Sequence, residues 1–278
     1  QGFFLDPDPE VANNPRKLLS NSFDIENGDW ILADLSKDNK LRVRAIFYND
    51  DKSPERDIAR LTSRYDVRQD YSKDALAQLK KLPKRWTADM RKGRRDLRDL
   101  TTVTVDAPST KDIDDAISVL PADAKGGIRL FVSIADATAY VPLDSPLDLE
   151  ARDRATSVYM IGHVLPMFPR ALSEDQFSLL PGKDRLALTA EMRLDIEGNM
   201  TSLDLYESII RSDGRVSYQE ADQYLRGIDT HKSPNVADAF KWFRTASARL
   251  SIQRRLRGGL ENPHVEPKVE LDEESGEP

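Results

Sequence analysis

Four aspartates fall within the ten-residue stretch Asp106-Ala-Pro-Ser-Thr-Lys-Asp-Ile-Asp-Asp115. The stretch lies between two apolar, strand-like runs, residues 101–105 and 115–120. Any fold of this chain must reconcile that charge with its two neighbours. In an extended segment, residues i and i+2 share a face. Asp112 and Asp114 then point one way and Asp115 the other, unless the backbone turns. Ala-Pro-Ser-Thr supplies a turn that can fold Asp112–Asp115 back toward Asp106. Four carboxylates brought so close cannot all stay ionised without a cation or a proton. Hard oxygen ligands suit Mg²⁺ or Mn²⁺. Two such ions about 4 Å apart can activate a water and stabilise a leaving oxyanion in phosphodiester cleavage. Spacing alone favours a plainer reading, a solvated acidic turn with local backbone hydrogen bonds. The position between two apolar strands favours chemistry. An EF-hand fits poorly: counted from Asp112, the sixth position is Ile117 instead of Gly and the twelfth is Asp123 instead of Glu.

The 278 residues suffice for one large domain or two unequal ones. A net charge of −7 opposes nonspecific attraction to nucleic acid or anionic lipid, so a nucleic-acid role needs a local basic surface. The chain has no cysteine, which excludes disulfides, thiolate metal sites and a cysteine nucleophile, and fits a reducing, cytoplasmic setting. No apolar run approaches the ~20 residues of a membrane helix. The chain opens at Gln1 inside a strand-like run, without an initiator Met or a signal-peptide layout, and reads as a fragment.

Residues 1–50 read as short strands, 2–5, 30–33 and 41–48, separated by polar turns. They fit a partial all-β OB or cold-shock-like domain. Phe3 and Phe4 are candidate base-stacking residues there, although at least one is expected in a barrel core. Residues 51–99 read as a helical and basic connector. Ser53-Pro54 opens one helix and residues 74–82 form another. Lys and Arg then gather around Trp86, as a phosphate-contacting surface or as a solvated linker. From residue 100 to 278 strands and helices mix, with strands at 101–105, 115–120, 128–135, 185–195 and 201–211. Ser145-Pro146 opens a helix, Ser217-Tyr-Gln-Glu220 is a capping box, and 236–257 is a long helix with Trp242 in packing. The fold class is α+β.

Beside this reading stands a resemblance. Val105–Ala116 resembles the signature of the ribonuclease II / ribonuclease R (RNB-type) exoribonucleases. The match continues in order through Phe131–Val141, Arg154–Tyr159, Val164–Ser173 and Phe177–Pro181. It implies a mixed-sheet catalytic domain, of which residues 100–278 are the N-terminal portion. It also implies 3′-to-5′ hydrolysis of single-stranded RNA to nucleoside 5′-monophosphates with Mg²⁺. The family's four acidic positions fall on Asp106, Asp112, Asp114 and Asp115, implied to hold the metal and position water; Asp114 is the choice for the most critical. Tyr159 falls on the tyrosine that stacks on the 3′-terminal nucleotide, a contact worth roughly 1–3 kcal/mol per base. The chain ends before the family's later Glu and Arg motifs and its S1 domain. A second stacking aromatic is replaced at best by Val269. The remainder of such a polypeptide is therefore an implied partner, and a non-catalytic RNA-binding fragment or pseudoenzyme is the main alternative. An unrelated Mg²⁺ enzyme acting on phosphorylated substrates is a weaker one. With only His163, His231 and His264, a His-based triad is not expected. Arg152 and Arg154 face either phosphates or neighbouring carboxylates.

Overall fold

A computed structural model describes residues 4–5, 16–17, 25–26, 28–35, 41–48, 53–122, 124–160, 162–228 and 233–260. Phe3, the Phe4 side chain, His231, His264 and Val269 lie outside what is described. The described residues form two compact units. One comprises those up to Asp70 together with Tyr159–Leu165; the other comprises Tyr71–Val158 and those from 166 onward.

In the first unit, β1 (Phe4–Leu5) pairs antiparallel with β2 (Arg16–Lys17), and β3 (Trp30–Leu35) with β4 (Leu41–Phe47). These strands fit an OB-like domain. The β3–β4 register shifts at Leu32/Ala33, a bulge that bends the ribbon. Helix α1 (Pro54–Arg64) starts as its sequence dictates: Ser53 Oγ accepts from Arg56 N–H and Pro54 fills the first turn. The Arg60 guanidinium lies over the Trp30 ring, 4.4 Å from its centroid.

The second unit opens with α2 (Lys73–Leu79), α3 (Ala88–Arg91) and β5 (Arg95–Asp96). Then come β6 (Thr102–Asp106), β7 (Asp115–Pro121), β8 (Ile128–Ala135) and α4 (Pro146–Arg154). The short strands β9 (Val158–Met160) and β10 (His163–Leu165), which belong largely to the first unit, pair with each other. After them follow β11 (Asp184–Leu194), β12 (Met200–Arg211), β13 (Gly214–Ser217), α5 (Tyr218–Leu225) and α6 (Pro234–Leu256). Seven strands form one mixed sheet in the order β13-β6-β7-β8-β11-β12-β5. The edge pairs β13–β6 and β12–β5 are parallel, and the ladders between them are antiparallel. The α+β reading with a mixed sheet is the observed class.

Helices α5 and α6 cover one part of the sheet. Phe240, Phe243 and Tyr224 pack there with Val103, Val119, Leu130 and Leu194, and Trp242 packs against the same cluster. The Ser217 capping box is complete, with Ser217 Oγ accepting from Glu220 N–H and Ser217 N–H donating to Glu220 Oε2. A second cluster joins Ala75 of α2, Leu147 of α4, Tyr140, Leu172, Phe177, Leu186 and Ile209. Among the described residues, no helix is long and apolar enough to cross a membrane.

The connector is anchored by arginines. Arg94 Nη2 meets Asp136 Oδ2 at 2.6 Å, and both side chains are almost fully buried. Asp136 Oδ1 also accepts from Thr138 Oγ and Ala139 N–H. Removing Asp136 leaves the buried guanidinium only the more distant carboxylate of Glu207, at 3.8 Å, and breaking such a buried pair costs about 3–5 kcal/mol. Urea unfolding of Asp136→Ala should therefore show a loss of that size. A loss below ~1 kcal/mol would show that the pair does not hold the connector to the sheet.

Candidate active site

Asp106 ends β6 and Asp115 begins β7, so the sheet fixes both ends of the acidic loop. β6 and β7 pair at Thr102↔Ser118 and Val103↔Ile117, then diverge. Between them the chain is pinned by Ile113, which has no exposed surface and clusters with Ala116, Leu179, Ala187 and Ile210. The alternation Asp-Ile-Asp is thus a buried apolar residue between two charged ones. Ile113 N–H donates to Ser178 Oγ at 3.2 Å, and the Ser178 hydroxyl donates to the Lys111 carbonyl at 2.7 Å. Leu179 N–H donates to the Ile113 carbonyl and Ala135 N–H to the Asp114 carbonyl, each at 2.8 Å. The segment Phe177–Pro181 and β8 thus satisfy the Ile113 N–H and the carbonyls of Lys111, Ile113 and Asp114.

The near end of the loop is held by Arg215 on β13. Its Nη2 donates to the Ala107 carbonyl at 2.7 Å and the Pro108 carbonyl at 2.9 Å. Strand β13 runs parallel to β6 with Ser217 opposite Asp106, which brings Arg215 to that turn.

Asp106 is buried, and its Oδ2 has no hydrogen-bond partner. Burial pushes its carboxyl above the usual range; the charges of Asp115 and Asp114 add to this, while Arg215 opposes it. The Thr104 hydroxyl, two residues back on the same strand, eases the charge slightly but lies outside good hydrogen-bond geometry. Asp115 is also raised, first by loss of water around its carboxylate and then by Asp114. Its surface remains partly open despite that desolvation. Asp106, Asp114 and Asp115 therefore form one electrostatic group. Asp112 is half-buried on the same loop.

A buried acceptor without a partner, beside carboxylates whose charges oppose its ionisation, has the donor chemistry of a hard divalent cation site. The ligand shell is not preassembled: among the described residues, no three His, Asp or Glu side chains stand in metal-holding geometry.

Tyr159 lies in the other unit, exposed on the β9–β10 hairpin. His163 sits on β10, half-buried. Arg154 is committed elsewhere: it pairs with buried Glu150 at 3.0 Å and lies over the Tyr71 ring. Arg152 pairs with Asp144 and Asp148. The positioning residues Ser178 and Arg215 carried no signal in the residue chemistry alone. Only the neighbouring block Phe177–Pro181 marked the first.

The family model of the RNB domain matches residues 94–278, and the chain belongs to that family. Ribonuclease R of Thermotoga maritima is 32% identical over 98% of this chain and 39% of its own length. The chain thus spans about two fifths of that relative. The structure of Mycoplasma genitalium RNase R in complex with ribose-methylated single-stranded RNA superposes with a TM-score of 0.80 at 28% identity, over 98% of this chain and 45% of that one. Yeast Ssd1, a pseudonuclease, shares the fold at TM-score 0.62 and 17% identity, over 81% of this chain and 28% of its own.

The raised carboxyl of Asp106 has a signed consequence. A carboxyl whose folded pKa exceeds its unfolded value contributes stability that is present at low pH and lost as pH rises through the folded pKa. Replacing Asp106 by Asn removes that loss. With a chelator present, Asp106→Asn should raise the melting temperature at pH 7, and the gain should vanish below the ordinary carboxylate range. A variant less stable than wild type at pH 7 would contradict the burial and repulsion described.

Proposed function

We propose that this chain is the aspartate-bearing portion of a metal-dependent 3′-to-5′ exoribonuclease that hydrolyses single-stranded RNA to nucleoside 5′-monophosphates. The observation that carries the reading is the pinned acidic loop with its unsatisfied Asp106 Oδ2, in a chain of the RNB family. Relatives named ribonuclease R and a solved RNA complex of one of them support RNA as substrate. Asp106, Asp112, Asp114 and Asp115 are the proposed ligands of Mg²⁺, with Mn²⁺ as a substitute. Bound there, a pair of such ions would polarise the attacking water and stabilise the leaving oxyanion.

The chain's own residues have separable tasks. Asp106, buried and repelled by its neighbours, gains most from a cation. Asp112, Asp114 and Asp115 complete the set that holds the metal and positions water, with Asp114 the most critical of them. Ile113 and Ser178 hold the backbone of the loop, so that only the carboxylate side chains have to settle around a cation. Tyr159 offers an exposed aromatic face for the terminal base, a contact that tolerates any base.

A second reading rests on the same fold in a pseudonuclease and on the absence of a preassembled ligand shell among the described residues. In it the chain binds RNA without cutting it. One experiment separates the two: 5′-labelled single-stranded RNA incubated with Mg²⁺ and resolved by length. Stepwise shortening that Asp114→Asn abolishes, with RNA binding retained, is the expected result. Tyr159→Ala should leave shortening in place but lengthen the end product. Binding without shortening by the wild-type chain would establish the second reading.

A further inference from the structure

The basic connector divides into two populations. Arg94 is consumed by Asp136, Arg95 pairs with Asp204 at 2.7 Å and lies over the Tyr206 ring, and Arg98 pairs with Asp96 and Asp184. These arginines tie the connector to the sheet. Lys84 and Arg85 do not join them. They line a cleft of about 730 Å³, together with Trp86 and the loop that leads into β11. None of the four aspartates of the acidic loop lines this cleft.

The far wall of the cleft carries Lys183 and Arg185, with Asp175 and Asp184. Both carboxylates are already neutralised. Asp184 receives Arg98 Nη1 at 2.8 Å and Arg211 Nη2 at 2.6 Å. Asp175 faces Arg185, whose guanidinium also donates to the carbonyls of Ser178 and Asp175. What remains is the positive charge of Lys84, Arg85 and Lys183, none of which has an ion pair or side-chain hydrogen bond within the described structure.

Two further features point to what would occupy the space. Trp86 lines the cleft, half-buried and packed against the cluster of Tyr140 and Phe177. Gln176 bridges the walls, its Nε2 donating to the Pro83 carbonyl at 3.1 Å, while its Oε1 is buried and has no partner. A buried acceptor left unmade costs about 1–3 kcal/mol.

An anionic group beside a planar ring is the chemistry of a nucleotide unit. We propose that the cleft between the connector at Lys84–Trp86 and the loop Asp175–Arg185 is a second binding site for single-stranded RNA. In it Lys84, Arg85 and Lys183 meet phosphate and Trp86 meets a base or sugar face, while Gln176 holds the two walls together through Pro83. The site stands apart from the acidic loop but at the same end of the sheet. Asp115 opens β7 opposite Ile134 of β8, and Ile134 lies opposite Leu188 of β11, four residues after Asp184. The strands β7 and β11 are two ladder spacings apart, about 10 Å. One strand of RNA can therefore be held at this cleft while another part of it lies at the aspartates.

The choice of RNA as the nucleotide polymer rests on the proposed function; the cleft itself does not. The test uses fluorescence anisotropy of a fluorescein-labelled single-stranded oligoribonucleotide, across a salt series, with wild type, Lys84→Ala/Lys183→Ala and Asp114→Asn. Both lysines are exposed and their ammonium groups bond to nothing in the described structure, so the double variant should melt as wild type does. Its affinity should fall several-fold. The slope of log affinity against log salt should shrink by about 1.4, at roughly 0.7 for each phosphate no longer neutralised. Asp114→Asn should bind as wild type does. An unchanged affinity and slope in the lysine variant, with RNA shortening intact, overturns the cleft alone. Loss of shortening in wild type, with the lysine effect present, overturns the proposed catalysis and leaves the cleft standing. A wild-type chain that binds no RNA overturns both.

Discussion

Ile113 is the fixed point of this structure. It is the one apolar residue in the run Lys111–Asp115, and it has no exposed surface. Burying a side chain of that size is worth roughly 1.5–3 kcal/mol. That gain must offset the ordering of a loop that would otherwise spread its charges into water. Ser178 completes the anchoring by satisfying the Ile113 N–H and reaching the Lys111 carbonyl. With the plug seated, the flanking aspartates have little freedom of backbone. Their mutual repulsion is then imposed by the fold, and a cation is the simplest agent that relieves it.

The same logic explains how a chain of net charge −7 can offer surfaces to an anionic polymer. Its arginines and lysines are sorted by task. Arg94, Arg98 and Arg185 make several bonds each to carboxylates and carbonyls, which the planar guanidinium does well. Lys84 and Lys183 are left in solvent at the rim of a cleft. Net charge therefore says little about where phosphate can be met; the partners of each local cation say much more.

Much of the fold was legible in the sequence. Apolar and β-branched runs, with the Glu197-Gly-Asn199 turn between the last two, located β6, β7, β8, β11 and β12 within a residue or two. Strand β8 has the expected bounds. The Ser217 capping box announced α5, since its two reciprocal bonds lie within four residues. The short edge strands β5 and β13 were not foreseen. They are two and four residues long and pair in parallel with distant segments, so no local period or turn marks them. The connector looked uniformly basic because Arg94 meets its partner Asp136 across 42 positions. The acidic loop was legible as a cluster and, through its neighbouring motifs, as a family signature. The order within it was not: that Asp106 is the buried member and Ser178 the clamp depends on contacts between segments far apart in the chain.

The central claim is that this loop, as the fold holds it, is a site for divalent cations. Calorimetric titration of Mn²⁺ into the metal-free chain at neutral pH tests it most directly, with wild type compared against Asp106→Asn/Asp114→Asn. Saturable heat in wild type that disappears in the double variant is the predicted result. Equal uptake by the two proteins, or none by wild type, would contradict it.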